Sequence, residues 1–311
     1  MSADPGAGVA VVAAFLEATV RVATPLGLAA LGETVSERAG VINVGLEGAM
    51  LAGAFASAVG APVLGGPWGG LLAAALTGAA VVAVFAFIAV GLGGDQIVVG
   101  AAITLGAIGV TGALYRALFG ATGAALTLPT FAPVPLPGLA GLPVVGRAFF
   151  AQAAPTYLLF VLVPVVWYGL ARLQIGLALR AAGEAPEAAR AAGLDVKRLR
   201  FGAAVFGGVL GGVAGGALVL AQAGTFAERM TAGRGFIAIA IVVLGRWNPV
   251  GVFAAALVFG AASALQFAFQ AAGWGVPYQF FLMAPYLLSL LALGGIGGRA
   301  RAPAALGRNE A

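Results

Sequence analysis

The chain has 311 residues, of which sixteen are Lys or Arg and eleven Asp or Glu. Hydrophobic residues make up 61% and charged ones 9%, with a mean hydropathy of +1.05. A soluble domain covers its surface with about 25% charged residues, so this chain is an integral membrane protein and not a soluble enzyme or binding module. The net charge of +5 sits in loops and at the C-terminal tail, where membrane topology puts cations; it is no signal for nucleic acid. His and Cys are absent, which excludes metal sites on those ligands, thiol chemistry, disulfides and imidazole acid–base work. Lys197 is the single lysine and no GxxxxG loop precedes it. The chain therefore has no phosphate loop, and any ATP and Mg it depends on would be bound by another polypeptide.

Apolar runs of about 20 residues recur, each long enough to cross a bilayer as a helix, and no alternating strand pattern does. The predicted fold is all-α: one polytopic transmembrane bundle over residues 1–311, with about eight to ten spans, some of them broken or re-entrant. MSADPGAG has no basic n-region and no clean cleavage site, so the first apolar segment is expected to be retained. The first span is read at 9–31. Glu17 and Arg21 lie one turn apart there and can neutralise each other, which favours a structural pair over a polar path. LGETVSERAGVINVGLEGAM (31–50) reads as a turn entering a second span at 41–60, and carries Glu33, Glu37, Arg38, Asn43 and Glu47. Glu47 falls inside that span; an intramembrane glutamate is a functional candidate, with a packing role as the equal alternative.

A third span at 68–90 follows a turn in which Trp68 suits the interfacial aromatic belt. GLGGDQIVVG, with Asp95 and Gln96, breaks the chain before a fourth span ending near 119. Residues 120–153 hold Pro129, Pro133, Pro135, Pro137 and Pro143, too many for a regular helix; with Arg147 their only cation, they are expected outside. The fifth span is read at 155–173. The sixth, at 201–221, has glycine pairs at 207/208, 211/212 and 215/216, a strip suited to close helix packing. In 224–251 the apolar core 236–244 is too short for a full crossing, so a re-entrant or broken helix covered by protein is expected. The last spans are read at 250–271, with Gln266 and Gln270, and at 277–293. Arg299, Arg301 and Arg308 place the tail inside. This reading has about nine crossings, with the N-terminus outside and no evident internal repeat.

Between the fifth and sixth spans lies QIGLALRAAGEAPEAARAAGLDVKRLR (174–200), the most polar segment. Pro186 suits a first helical turn, Glu184 and Glu187 suit the positive end of its dipole, and Gly193 suits a left-handed stop. EAARAA would make a small, smooth helix fit for a groove on another protein. A solvated cytoplasmic loop is the alternative.

ERAGVINVGLEG (37–48), DQIVVG (95–100), LRAAGEAPEAARAAGLDV (179–196) and TAGRGFIAIAIVVLGRWNP (231–249) together resemble permease subunits of bacterial ABC importers. The class is that of the ribose and branched-chain amino-acid permeases, and the likeness is greatest to the nucleoside, or simple-sugar, type. The resemblance implies a multi-pass plasma-membrane importer subunit, not itself an enzyme. It implies a second related permease, two cytoplasmic ATPase subunits that bind the ATP, and an external substrate-binding protein, often a lipoprotein. The family's ATPase-coupling helix maps onto Gly183, Glu184, Pro186, Glu187, Ala188, Ala189, Arg190 and Gly193. Polar groups within apolar spans are the candidates for the substrate path: Asn43, Glu47, Gln96, Gln222, Gln266 and Gln270. Asp95 stands where many relatives carry an amide, and would add negative charge if it lined that path. A simple-sugar permease of the same class is the alternative, as is a secondary transporter with discontinuous helices.

Overall fold

A bilayer leaves the chain no water for its backbone groups, so each segment closes its own hydrogen bonds, and the protein is built almost wholly of helix. A computed structural model describes residues 5–120, 127–271, 279–294 and 302–308. The side chains of 5–7, 266–271, 279–282 and Leu293 are not among what it describes. The helices are α1 (Pro5–Arg38), α2 (Leu46–Val63), α3 (Pro67–Ala86), α4 (Gln96–Phe119), α5 (Val145–Phe150), α6 (Ala154–Arg172), α7 (Gln174–Glu184), α8 (Pro186–Ala191), α9 (Val196–Leu218), α10 (Arg234–Leu244), α11 (Pro249–Ala271) and α12 (Gln279–Leu293). Short π turns extend α3 through Phe87–Gly91 and α9 through Val219–Ala223. Among the described residues the only strands are a two-residue antiparallel pair, Val134–Pro135 with Ala151–Gln152. Among the described residues six helices are long and apolar enough to cross a membrane (α1, α2, α3, α4, α6 and α9), and shorter apolar stretches follow in α10, α11 and α12.

The axis of the bundle is α9, because its glycine strip lets three helices reach its backbone. A side-chain carbon added at Gly215 would strike the carbonyl of Met50 on α2, and one at Gly212 the carbonyl of Ala74 on α3. The approach is mutual. A carbon at Gly53 on α2 would come within 2.6 Å of the Gly212 Cα, and one at Gly78 on α3 would meet the Gly208 carbonyl. On the side facing α1, a carbon at Gly207 would come within 2.5 Å of Ser36 Oγ, and Ser36 Oγ donates to the Ala203 carbonyl at 3.2 Å. Without a hydrophobic drive between helices in lipid, this close backbone contact is what holds them.

Two expectations change. LGETVSER is not a turn: α1 runs unbroken to Arg38, and the break falls at 39–45, which is buried and irregular. The polar run stays helical with several of its groups partnered inside the protein. Thr34 Oγ1 donates to the Ala30 carbonyl, and Glu33 Oε1 accepts the Asn43 N–H at 2.8 Å. The segment 120–153 also holds a six-residue helix, α5, beside the strand pair. The 34-residue α1 contains Pro25, with Thr24 Oγ1 donating to the Val20 carbonyl in the same turn.

Candidate functional site

The bundle has a basic end, where α1, α6 and α10 finish and α4, α9 and α11 begin, and a far end beyond the 127–153 arm. At the basic end α8 projects as a six-residue helix. Pro186 occupies its first turn with Glu187, and Arg190 its last, so both charges complement the helix dipole. Its stop is a Schellman turn: Leu194 N–H donates to the Ala189 carbonyl at 3.0 Å and Gly193 N–H to the Arg190 carbonyl at 2.9 Å, with Gly193 at φ +85°. Ala189 alone turns inward, packing with Ala182 and Val196. Glu187, Ala188, Arg190, Ala191 and Ala192 are exposed. The result is a small, smooth, anchored knob.

Glu184 and Gly183 have other places than the sequence suggested. Glu184 ends α7 and does not open α8, so its charge is not at the α8 N-terminus; its Oε2 accepts the Ala304 N–H of the tail at 3.2 Å. Gly183 is buried against α1, where an added carbon would meet the Arg38 carbonyl. These two residues form the seat of the knob. Its lock is Arg200, which the sequence suggested only as one more loop cation. Arg200 is 3% exposed. It donates to the carbonyls of Ala39 (3.1 Å), Ala182 (3.2 Å) and Arg308 (3.2 Å), tying the ends of α1, α7 and the tail to the start of α9. Gly40 at φ +94° lets the guanidinium in: an added carbon there would come within 2.9 Å of Arg200 Nη2. The signal was available, since Val196, Arg200, Ala203, Ala204 and Gly207 follow one buried helical face.

The short helix α10 is a half-helix of eleven residues. Its N-terminus lies inside the bundle and is capped by Glu47 across 186 residues of sequence: Oε1 accepts the Gly233 N–H at 2.9 Å and Oε2 the Gly235 N–H at 2.7 Å. A carboxylate there fits both the unpaired donors of a first turn and the positive end of the dipole. Gly235 is required, because an added carbon would come within 2.5 Å of the Glu47 backbone nitrogen. The other end of α10 turns sharply through Arg246 (φ 57°) and Trp247 (φ 53°), a left-handed bend that ordinary side chains resist. Trp247 Nε1 donates to Glu37 Oε2, and Arg38 Nε donates to the Trp247 carbonyl at 2.8 Å. So α10 is fastened to α2 at its inner end and to α1 at its basic end.

The structure scatters the remaining candidates for a substrate path. Gln96 opens α4 at the basic end, where its Oε1 accepts the Ile42 N–H at 2.8 Å. Asn43 is buried near Glu33, and neither atom of its amide has a hydrogen-bond partner among the described residues. Gln222 lies at the far end, its Nε2 donating to the Arg21 carbonyl. Gln266 and Gln270 are on α11, and their side chains lie outside the described residues. Asp95 is exposed and caps α4, its Oδ1 accepting the Ile97 and Val98 N–H groups at 2.9 Å each. An N-cap accepts Asp and Asn about equally, so an amide at this position would serve the same cap. Asp95→Asn is expected to leave thermal stability within a few tenths of a kcal/mol, and Asp95→Ala to cost about 1 kcal/mol, read from unfolding of the purified protein in detergent.

The family model described as branched-chain amino acid transport system / permease component matches residues 15–293. The chain belongs to this permease family. It is similar to the guanosine ABC transporter permease protein NupQ of Bacillus subtilis (strain 168), 37% identical over 308 residues, 96% of this chain and 97% of the relative. It is 36% identical to the nucleoside ABC transporter permease protein NupC of Lactococcus lactis subsp. cremoris (strain MG1363), over 92% of this chain and 93% of that one. It is also 41% identical to the putative glucose ABC transporter permease protein TsgC13 of Haloferax volcanii, over 82% and 77%. No solved structure matches the chain. The permease is a multi-pass plasma-membrane protein and a transport subunit, not an enzyme, and an ABC permease works with ATPase and substrate-binding partners.

Proposed function

We propose that this permease forms half of the membrane path of a nucleoside importer, beside a second, related permease. Two ATPase subunits bind the ATP, and an external binding protein delivers the solute. The support for nucleosides is the pair of relatives named for guanosine and nucleosides, each matched over more than nine-tenths of both chains; the glucose relative keeps simple sugars as the second reading. The basic end faces the cytoplasm, as the positive-inside bias requires.

The observation that carries the coupling mechanism is α8, an exposed alanine-faced knob on a rigid seat. When the ATPases close, they displace α8. Gly183 presses on the end of α1, and Arg38 and Glu37 hold the Trp247 bend, so the displacement reaches α10. A half-helix that ends inside the bundle can tilt without dragging a whole span, and this makes α10 the moving part of the gate.

Glu187→Arg combined with Arg190→Glu reverses the charges on α8. Like charges set against a partner cost several kcal/mol. Uptake of guanosine in cells is therefore expected to fall more than about tenfold, while membrane insertion and helix content are unchanged. Uptake at the wild-type rate would remove α8 from the docking role.

A further inference from the structure

At the far end of the bundle, α1, α6 and α9 enclose a polar cavity of about 180 Å³ beneath Phe131 and Pro133. Glu17, Arg21, Thr24, Gln152, Thr156 and Gln222 line it. Sequence spacing pairs Glu17 with Arg21, yet among the described residues no ion pair joins them. Both stand on the cavity wall instead. Gln222 belongs to the π turn that ends α9, an irregularity frequent at functional sites.

The inventory of protons identifies what would fit. Thr24 Oγ1 donates to the Val20 carbonyl, so the 2.9 Å contact between the two threonine hydroxyls uses the Thr156 proton. The Gln152 Nε2 donates to the Ala148 carbonyl at 2.9 Å, and the Gln222 Nε2 to the Arg21 carbonyl. Each of these side chains has turned a donor into the protein and kept an acceptor in hand. Glu17 adds two carboxylate oxygens, and Arg21 is the one strong donor among the six. Such a wall suits a ligand rich in O–H groups. A cavity of roughly 150 Å³ holds a benzene ring, so about 180 Å³ has room for one sugar ring.

We infer that this cavity is a polyol subsite which takes the vicinal diol of a pentose ring, Glu17 accepting both hydroxyl protons and Arg21 donating to a ring or hydroxyl oxygen. Its place in transport rests on the importer reading above; a deoxy ring brings one O–H fewer and leaves a carboxylate oxygen without its ligand proton. The ring could come from a nucleoside or from a free pentose, and the chemistry is the same.

The test uses the intact transporter in lipid nanodiscs, without the external binding protein, and saturation-transfer NMR with D-ribose, 2-deoxyribose, guanosine and 2′-deoxyguanosine as probes. A site built to bind a hydroxyl rejects the analogue lacking it, so a signal at least about tenfold weaker is expected for each deoxy form. E17Q is expected to abolish that preference while a monodisperse assembly is retained. T156V removes one acceptor without touching charge, and is expected to weaken ribose binding should E17Q fail to assemble. Signal from guanosine identifies a nucleoside source, and signal from ribose alone a free pentose. Equal binding of ribose and 2-deoxyribose, or wild-type preference in both variants, overturns the subsite. Guanosine uptake by cells separates the two readings. A transporter that imports guanosine with no Glu17-dependent preference loses the cavity and keeps the nucleoside reading. One that imports only glucose, yet shows the preference, does the reverse.

Discussion

Gly215→Val in α9 is expected to remove the folded permease from the membrane. The position has no room for any side chain: the first carbon would collide with the Met50 carbonyl and stand 2.8 Å from the Ala54 nitrogen. Both obstacles are backbone, so no rotamer change relieves them. Overpacking a well-filled core costs about 1–3 kcal/mol when side chains can yield. Where α2 itself must shift, more than about 4 kcal/mol is expected, against a total stability of only about 5–15 kcal/mol. Gly202 on the same helix is the control, because an added carbon there meets nothing within 4 Å. Gly202→Ala is expected to gain about 0.5–1 kcal/mol by removing the backbone freedom of a helical glycine. Fluorescence-detected size-exclusion of both variants in detergent checks the pair: Gly215→Val should give no monodisperse peak, and Gly202→Ala should give one with a raised melting temperature. A normal peak for Gly215→Val would mean that the glycine strip does not set the distance between α9 and α2.

The contrast between those glycines bears on what a sequence can disclose here. The strip was legible because its period is local and its chemistry is simple: paired glycines every four residues can only serve close approach. The short apolar core 236–244 was legible for a similar reason, since length alone forbade a full crossing. The polar groups were not. LGETVSER looks like a turn until Glu33 meets the Asn43 N–H and Glu37 meets Trp247, contacts that span ten and 210 residues of sequence. Arg200 looks like a topology cation until three carbonyls from separate segments surround it. Glu184 looks like an N-terminal charge because Pro186 follows it, and only the observed break at Ala185 assigns it to the helix before. In a membrane protein composition gives the spans, but each buried polar group is explained by a partner far along the chain.

Glu47 shows this most fully, and its removal is expected to stop transport while leaving the protein in the membrane. Two N–H groups, of half-buried Gly233 and buried Gly235, have Glu47 as their acceptor. Left unpaired, each costs about 1–3 kcal/mol, and the loss of charge at the helix N-terminus adds about 0.3–1 kcal/mol. The penalty falls on an eleven-residue helix, a length that is marginal without tertiary support. The spans that carry the hydrophobic bulk are elsewhere, so α10 should loosen before the bundle does. Glu47→Ala is expected to cut guanosine uptake more than about a hundredfold, the result of losing roughly 3 kcal/mol or more from the working state. Glu47→Gln keeps one acceptor oxygen and should fall between Ala and wild type. Hydrogen exchange over 231–240 provides the second readout: protection should drop in Glu47→Ala and stay unchanged in α2 and α9. Unaltered exchange with lost uptake would mean that Glu47 acts on the solute directly and not through the half-helix, because the N–H groups it holds would then have found other partners.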